Sequence, residues 1–215
     1  MCIICSSPAG VRQPSQAQLR RMFDSNPHGA GYMVARNGRV EISKGYMSWA
    51  PFIKAIRYEQ FTAADPVVYH FRISTQAGVT PEMCHPFPLT SHIEDCKILD
   101  VGCPVGVAHN GIIHLTSDNR DREYSDTAHY IAEFLRFFVR SPEDLRDPAV
   151  LDAIQRTTES KWALLDGSGY IATVGDFIEE RGLLFSNGSF RGTRSPQHSY
   201  MSSRKFSFDD CPWPD

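Results

Sequence analysis

The sequence lacks several features that would assign it to a class of protein at once. No apolar run approaches the ~20 residues that a helix needs to cross a bilayer. The N-terminus has no basic segment followed by an apolar one, which is the pattern of a secretory signal. The net charge of -3 gives no electrostatic basis for nucleic acid or an anionic membrane as the main partner. We therefore expect no membrane span and no nucleic-acid partner.

The sequence also lacks a disulfide scaffold, because six cysteines in 215 residues are too few to make one. Cys2 and Cys5 form a Cys-x-x-Cys motif, but the chain has no second such motif to complete a zinc site. In a strand, residues three apart point to opposite faces, so this pair is not expected to chelate a metal. We expect no metal, no cofactor and a reducing cytoplasmic location.

The composition that remains is that of one globular domain. Apolar residues make up 41% and charged residues 22% of the chain, which are ordinary values for a folded protein. No internal repeat is evident. From residue 191 onward the chain is polar, rich in Ser and Arg, and without periodicity. We expect a single domain over residues 1–190 and a tail over 191–215 that is disordered or docks on a partner.

Serine residues mark the predicted starts of four helices, because a serine side chain can accept a hydrogen bond from the first helical turn. These serines are Ser15, Ser48, Ser125 and Ser141. The segment after Ser125 has the strongest helical periodicity, since apolar residues recur at helical spacing as far as Phe138. We expect one continuous helix there.

Strands are predicted on both sides of these central helices, with hairpins at Asn37-Gly38 and Asn110-Gly111. The second hairpin would lead into a strand at 112–115. The order of strands, helices and strands predicts an α+β fold with largely antiparallel sheets. The proline-rich segment 78–103 is expected to be irregular, and its length makes it a candidate lid over a site.

Cys2 becomes a candidate nucleophile if Met1 is removed, as methionine aminopeptidase does when the next side chain is small. Cys2 would then carry an α-amine with a pKa of about 7.7–8.0 beside a thiol of about 8.5. Near neutral pH, the amine can take the proton of the thiol. Ile3 and Ile4 are expected to bury this end of the chain as a strand. The alternative is that the chain begins Met-Cys by chance.

Three further positions carry polar groups at the ends of predicted elements. Arg72 ends a buried strand, Asn110-Gly111 follows another, and Asp126 lies in the first turn of a helix. Each has a structural alternative. The arginine could form an ordinary ion pair, the Asn-Gly could be only a turn, and the aspartate could be a first-turn charge that the helix dipole favours.

Taken in chain order, these positions resemble the class II glutamine amidotransferases, a family of N-terminal-nucleophile enzymes. In that family, the mature chain begins with the cysteine nucleophile, which corresponds here to Cys2. An arginine and a threonine in a His-x-Arg-x-(Ala/Ser)-Thr segment bind the α-carboxylate of glutamine, and Arg72 and Thr75 match them. A His-Asn-Gly turn supplies the oxyanion hole, which the resemblance assigns to Asn110 and Gly111.

The resemblance extends to two further residues and to the closing strands of the domain. Asp126, in Ser-Asp-Thr, matches the aspartate that binds the α-ammonium of glutamine. His85, in His-Pro, follows the arginine segment and would contact the substrate or serve the structure. The order of the motifs is kept over residues 1–130, and residues 162–190 fit the last strands of the same domain.

The fold implied by the resemblance is the N-terminal-nucleophile hydrolase fold, a four-layer αββα sandwich. The implied reaction is hydrolysis of the side-chain amide of glutamine through a γ-glutamyl thioester, without a cofactor. No synthetase domain fits after residue 190, so the ammonia would pass to a separate acceptor synthetase. The acceptor itself is not indicated by the sequence.

The chain departs from the family pattern at three places. Ile3 stands where the family usually has glycine, and we expect it to crowd the pocket. Ala128 stands where a glutamate often ends Ser-Asp-Thr-Glu. The segment 26–31 replaces the usual early Arg-Gly-x-Asp. These differences leave two alternatives open: an amidohydrolase of the same fold that acts on another amide, and a non-catalytic binding or structural protein that keeps the fold.

Overall fold

A computed structural model describes residues 2–73, 79–114 and 123–191, and these residues form an α+β fold with two sheets. Every strand pair described in these sheets is antiparallel. The predicted α+β class with antiparallel sheets is therefore confirmed. The tail predicted at 191–215 lies outside the described residues except for Arg191, and Thr75 also lies outside them.

The larger sheet has seven strands, and the N-terminal strand lies in its interior. In spatial order, the strands are β10 (Ile178–Glu180), β11 (Leu183–Phe185), β1 (Ile3–Ser7), β4 (Val67–Phe71), β2 (Ala30–Arg36), β3 (Arg39–Tyr46) and β6 (Asp100–Cys103). The smaller sheet has four strands. Their order is β5 (Phe87–Pro88), β7 (Val105–Asn110), β8 (Lys161–Asp166) and β9 (Ile171–Val174).

Three clusters of buried apolar residues show how the layers stack. One cluster joins the seven-stranded sheet to the helices α1 (Gln16–Ser25) and α2 (Trp49–Glu59), with Phe52 among its members. A second joins the two sheets and includes Met33. A third joins the four-stranded sheet to the helices that follow residue 125 and includes Trp162. The layers therefore run helix, sheet, sheet, helix.

Local signals placed the first helix and the first hairpin correctly. Ser15 caps α1 in a capping box with Gln18, each side chain accepting a hydrogen bond from the other residue's backbone N–H. At the hairpin between β2 and β3, Asn37 and Gly38 have φ angles of 53° and 75°. Positive φ at both central residues is what a two-residue hairpin turn requires, and Asn-Gly tolerates it.

The second predicted hairpin is wrong. Asn110 is the last residue of β7, and no strand is found at 112–114 among the described residues. The reason lies in the order of the small sheet, where β5 and β8 already pair with the two edges of β7. The chain beyond Asn110 therefore cannot turn back and pair with β7. The backbone N–H of Ile113 donates instead to the Asp126 carboxylate at 2.7 Å.

The helix predicted after Ser125 is present without a break from Asp126 to Phe138, although its hydrogen-bond pattern changes in the middle. Ser125 does cap a helix, α3 (Asp126–Tyr130), but a π-helical turn (Ile131–Leu135) follows before the short α4 (Arg136–Phe138). Phe134, one of the apolar residues whose spacing predicts a buried helix face, is 45% exposed.

The helix start predicted at Ser141 is correct in position, but two consecutive helices follow it instead of one. A 3₁₀ helix spans Pro142–Arg146, and Asp147 then caps α5 (Pro148–Thr158).

The described part of the proline-rich segment, residues 79–103, is more ordered than predicted. It contains two 3₁₀ helices (Pro81–Met83 and Ile93–Lys97) as well as β5 and β6. The side chains of Phe87 and Cys96 are completely buried. This segment therefore bridges the two sheets and contributes to both of them.

Within the described ranges, the longest helices have 11 residues, and none is long and apolar enough to cross a membrane.

We predict that Phe52→Ala lowers the free energy of unfolding by about 3–5 kcal/mol, the usual cost of deleting a fully buried phenylalanine. Phe52 is 0% exposed and contacts the rings of Phe23, Trp49 and Phe71. The matched control is Tyr58→Ala on the same helix, where the side chain is 86% exposed and the expected change is within about 0.5 kcal/mol. Equal losses in denaturant unfolding would contradict this layer arrangement.

Candidate active site

Cys2 lies immediately before β1, and its sulfur meets the chain that leaves β4. The backbone N–H of Ile73 donates to Cys2 Sγ at 3.4 Å, and the thiol is 3.5 Å from the Ile73 carbonyl oxygen. The Cys2 side chain is partly exposed, whereas Ile3 is completely buried. Ile3 packs in the core against α1 and α2, so the expectation that it crowds the pocket is wrong.

Burial raises the pKa of the Cys2 thiol above its usual value. The Ile73 N–H and the positive charge of Arg72 act in the opposite direction but do not overcome burial. The sulfur is therefore a thiol near neutral pH. Because the thiolate is the reactive form, this cysteine needs a proton acceptor to act as a nucleophile.

Arg72 follows β4 directly and is 5% exposed. Its backbone is held on both sides, because Arg72 N–H donates to the Gly29 carbonyl at 2.7 Å and the Arg72 carbonyl accepts from His28 N–H at 3.0 Å. The guanidinium charge acts on the cysteine sulfur and also lowers the pKa of His70 and His85. The structure therefore places Arg72 next to Ile73, the residue whose backbone contacts the cysteine sulfur.

Asn110 is joined to the N-terminal strand through one serine that the sequence did not single out. The Asn110 side-chain amide donates from Nδ2 to Ser186 Oγ at 2.9 Å, and the same oxygen accepts from Ile4 N–H at 2.9 Å. Asn110 is 4% exposed, and its Oδ1 has no hydrogen-bond partner among the described residues. This bridge connects the two sheets beside Cys2.

Gly111 lies where no side chain fits. A Cβ atom at this position would come within 2.2 Å of Ser160 Oγ and 2.7 Å of Ser160 Cβ. Ser160 in turn donates to the Thr158 carbonyl at 2.9 Å, so its position is fixed. Glycine is therefore a steric requirement at the point where the chain leaves β7.

Asp126 connects the segment after β7 to the start of α3. Its Oδ2 accepts from Ile113 N–H at 2.7 Å, and its Oδ1 accepts from Thr127 N–H at 2.8 Å. Thr127 Oγ1 also donates to Oδ1 at 3.4 Å. An ionised carboxylate has about four lone-pair sites, so these three bonds from described residues leave room for one more donor. The carboxylate thus has a structural role and retains capacity for a cationic ligand.

His85 belongs to a group of three buried histidines. Its Nδ1 accepts from His109 N–H at 3.3 Å, and its ring centroid lies 4.3 Å from that of His70. His70 Nε2 donates to the His109 carbonyl at 3.0 Å, and His109 Nδ1 lies 2.8 Å from Thr127 Oγ1. These contacts make His85 part of the interior that links Arg72 to Asn110.

Burial keeps these histidines neutral. It lowers the pKa of His70 and of His109 to about 3, and it lowers the pKa of His85 well below the usual range. The neighbouring histidines and Arg72 add to this effect at His85. Imidazoles with such low pKa values are weak bases, so they do not meet the need of Cys2 for a proton acceptor.

Sequence reasoning missed two residues that contact the N-terminal strand. Besides Ser186, Asn187 donates from Nδ2 to the Cys2 carbonyl at 2.6 Å. They follow β11 in a Ser-Asn-Gly segment that carries no distinctive pattern. The contact partners lie at the other end of the chain, so a local signal could not reveal them.

Lys44 is a third residue that sequence reasoning missed. It is 3% exposed, donates to the carbonyls of Glu82 and Cys96, and lies 4.0 Å from the ring centroid of Phe87. Burial lowers its pKa to about 7. These contacts of Lys44 hold the segment after residue 79 against β3.

A groove of about 710 Å³ lies away from these residues, between α2 and the strands β3 and β6. Its lining includes Tyr46, Tyr58 and Asp100 and none of the candidate site residues Cys2, Arg72, His85, Asn110, Gly111 and Asp126. In the described ranges, no group of three or more His, Cys, Asp or Glu side chains is arranged to hold a metal ion.

Comparison with known proteins adds no relative: no family model matches the chain, and no curated protein matches it.

We predict that folding stability decreases as the pH falls below about 6.5, the ordinary pKa of histidine. The unfolded chain binds protons at these histidines near pH 6.5, whereas folded His70 and His109 bind them only near pH 3. The unfolded state therefore binds more protons over this interval, and stability rises with pH. Denaturant unfolding at a series of pH values measures this slope.

The variant His70→Gln retains a donor to the His109 carbonyl and removes one titrating group. Its slope is expected to be lower by up to about 1.4 kcal/mol per pH unit. The exposed His92 offers the matched control, since His92→Gln should leave the slope unchanged. An identical slope in both variants would contradict the neutral buried state of His70.

Proposed function

We propose that this protein is a class II glutamine amidotransferase domain that acts as a glutaminase and supplies ammonia to a separate acceptor enzyme. The observation that carries the proposal is the contact between Cys2 Sγ and the backbone of Ile73, the residue next to Arg72. A nucleophile and a cation suited to a carboxylate thus lie at the adjacent ends of β1 and β4. Free glutamine has a carboxylate head and an amide end, which fits this pair.

Two features of the fold support the proposal. The layer order of helix, sheet, sheet, helix is that expected for the N-terminal-nucleophile hydrolase fold. The N-terminal strand lies inside the larger sheet, so the second residue is held by the fold. In this assignment residues 1–190 form the catalytic domain.

Recognition of glutamine requires one fixed cation and one fixed anion. Arg72 can hold the α-carboxylate with two parallel hydrogen bonds. Asp126 keeps one lone-pair site that can accept from the α-ammonium. Thr75 is assigned to the carboxylate by the family resemblance alone, and His85 supports the site from the interior.

The first half of the reaction requires a base on Cys2 itself. Removal of Met1 frees the α-amine, which takes the thiol proton while the sulfur attacks the side-chain amide carbon of glutamine. The carbonyl oxygen then carries the negative charge, and the Asn110 amide with the Gly111 N–H donates to it. The protonated α-amine returns the proton to the leaving nitrogen, the C–N bond breaks, and ammonia departs.

The second half regenerates the enzyme. A water molecule gives its proton to the α-amine and attacks the γ-glutamyl thioester, again with the oxyanion bound by Asn110 and Gly111. The C–S bond breaks, glutamate is released, and the sulfur recovers a proton. The raised thiol pKa of Cys2 and the low pKa values of the buried histidines are the reason that the α-amine is the base in this scheme.

The proposal places the protein in the cytoplasm with glutamine as substrate and without a cofactor. The ammonia would pass to a separate synthetase. An amidohydrolase with another amide substrate is the main alternative, and comparing glutamine with other carboxamides separates the two.

We predict that the protein with Met1 removed releases equal amounts of ammonia and glutamate from glutamine, and that Cys2→Ala abolishes this activity. The matched control is Cys5→Ala, which removes a completely buried sulfur from β1, three residues after Cys2. It should retain activity wherever its melting temperature shows that it is folded. Undiminished ammonia release by Cys2→Ala would exclude the proposed nucleophile.

We further predict that binding and turnover separate at Arg72 and Asn110. Arg72→Lys should mainly raise KM, because lysine cannot reproduce the bidentate contact with a carboxylate. Asn110→Ala should mainly lower kcat by about 10²–10³, the usual cost of losing one oxyanion donor. Arg36→Lys serves as the control for arginine replacement, since Arg36, at the end of β2, pairs with Glu59 of α2 and with Asp65 before β4.

A change of kcat alone in Arg72→Lys would contradict the carboxylate-binding role of that arginine. A change of KM alone in Asn110→Ala would contradict the oxyanion role.

A further inference from the structure

Ser186 stands at the meeting point of the two sheets beside the candidate nucleophile. Its Oγ accepts from Ile4 N–H at 2.9 Å and from Asn110 Nδ2 at 2.9 Å. Its own N–H donates to the Ile4 carbonyl at 3.0 Å, and its carbonyl accepts from Lys161 Nζ at 2.8 Å. Four hydrogen bonds thus hold one residue that follows the end of β11.

The contact with Ile4 fixes the serine oxygen in space. Ile4 lies in the interior strand β1, where a backbone N–H would ordinarily bond to a neighbouring strand. Here β11 ends at Phe185, and the Ser186 side chain takes the place of the missing strand partner. Both residues are 0% exposed. Displacing Oγ would therefore leave a buried N–H without a partner.

The hydrogen bond from Asn110 to the fixed Ser186 oxygen also fixes the orientation of the Asn110 side-chain amide. A carboxamide is planar, so anchoring one N–H of Nδ2 to Ser186 Oγ also sets the direction of the second N–H. Among the described residues, no acceptor is found for that second N–H. This second N–H can therefore donate to an oxyanion. Asn110 Oδ1 is buried without a described partner, so the serine is the contact that orients the amide.

We propose that Ser186 is a positioning residue that orients the Asn110 amide as an oxyanion donor and couples it to the strand that carries Cys2. This inference rests on the proposed glutaminase function and adds a residue to it. Asn187, which donates to the Cys2 carbonyl at 2.6 Å, holds the nucleophile from the same segment. The two residues after β11 thus set the relative position of nucleophile and oxyanion donor.

The test is steady-state glutamine hydrolysis by Ser186→Ala, measured as kcat and KM separately. The oxyanion donor remains but is no longer oriented, so kcat should fall by about 10- to 100-fold, less than the loss of the donor itself. KM should change by less than about threefold, because the Arg72 contact is untouched. Ser186→Thr keeps the hydroxyl and should retain more activity than Ser186→Ala.

Ser6→Ala is the matched control for removal of a buried serine oxygen. Ser6 lies in β1, is 0% exposed, and its Oγ has no partner among the described residues. This variant should keep the wild-type kcat. Melting temperatures confirm folding, and Ser186→Cys, which nearly conserves volume with a weak hydrogen-bonding group, replaces Ser186→Ala if the alanine variant does not fold.

The double variant Ser186→Ala/Asn110→Ala decides whether the serine acts through the amide. Its kcat should equal that of Asn110→Ala within about twofold, because the effect of Ser186 on turnover is proposed to pass through the Asn110 amide. Additive losses, or a Ser186→Ala kcat equal to that of Ser6→Ala, would overturn the inference while leaving the proposed function intact. A wild-type protein with Met1 removed that releases no ammonia would overturn the proposed function and this inference together.

Discussion

The structure depends most on the pairing of β1 with its two neighbours inside the seven-stranded sheet. Ile3 lies opposite Phe71 in β4, and Cys5 lies opposite Phe185 in β11. Because side chains alternate between faces, a shift of one residue would turn Ile3 out of the core against α1 and α2. This register brings Cys2 to the chain just after β4. The position of the sulfur is therefore a consequence of core packing.

Burial of polar groups is the second constraint, and it shapes the chemistry of the site. Arg72, Lys44 and the three histidines all lie in the interior, where an uncompensated charge is costly. The histidines stay neutral because burial lowers their pKa. Lys44 donates hydrogen bonds to two backbone carbonyls. Arg72 lies directly after β4 and is 5% exposed. A buried arginine therefore lies next to Ile73, the residue whose backbone contacts the candidate nucleophile.

Sequence patterns predicted the features that depend on near neighbours in the chain. The cap at Ser15 and the turn at Asn37-Gly38 require only residues within three positions, and both were correct. The turn predicted at Asn110-Gly111 has the same local pattern but failed, because the order of the small sheet denies a second strand access to β7. A local sequence pattern contains no information about which strands are already paired on both sides in the folded sheet.

The same limit applied to the candidate site. Cys2, Arg72, Asn110 and Asp126 could be singled out because each lies in a short recognisable motif. Ser186 could not, since its partner Ile4 is 182 residues away along the chain and its own segment is unremarkable. The sequence around Lys44 is typical of an exposed lysine in a hairpin. Only the packing of the segment after residue 79 shows that its side chain is buried.

The central claim is that Cys2, as the first residue of the mature chain, attacks the side-chain amide of glutamine. The most direct measurement is to incubate the protein with a glutamine analogue that carries an electrophilic carbon in place of the amide, and to locate the adduct by peptide mass spectrometry. The account predicts one adduct, on a peptide that begins with Cys2, and protection by excess glutamine. An adduct on a peptide that retains Met1, on another cysteine, or on none would contradict it.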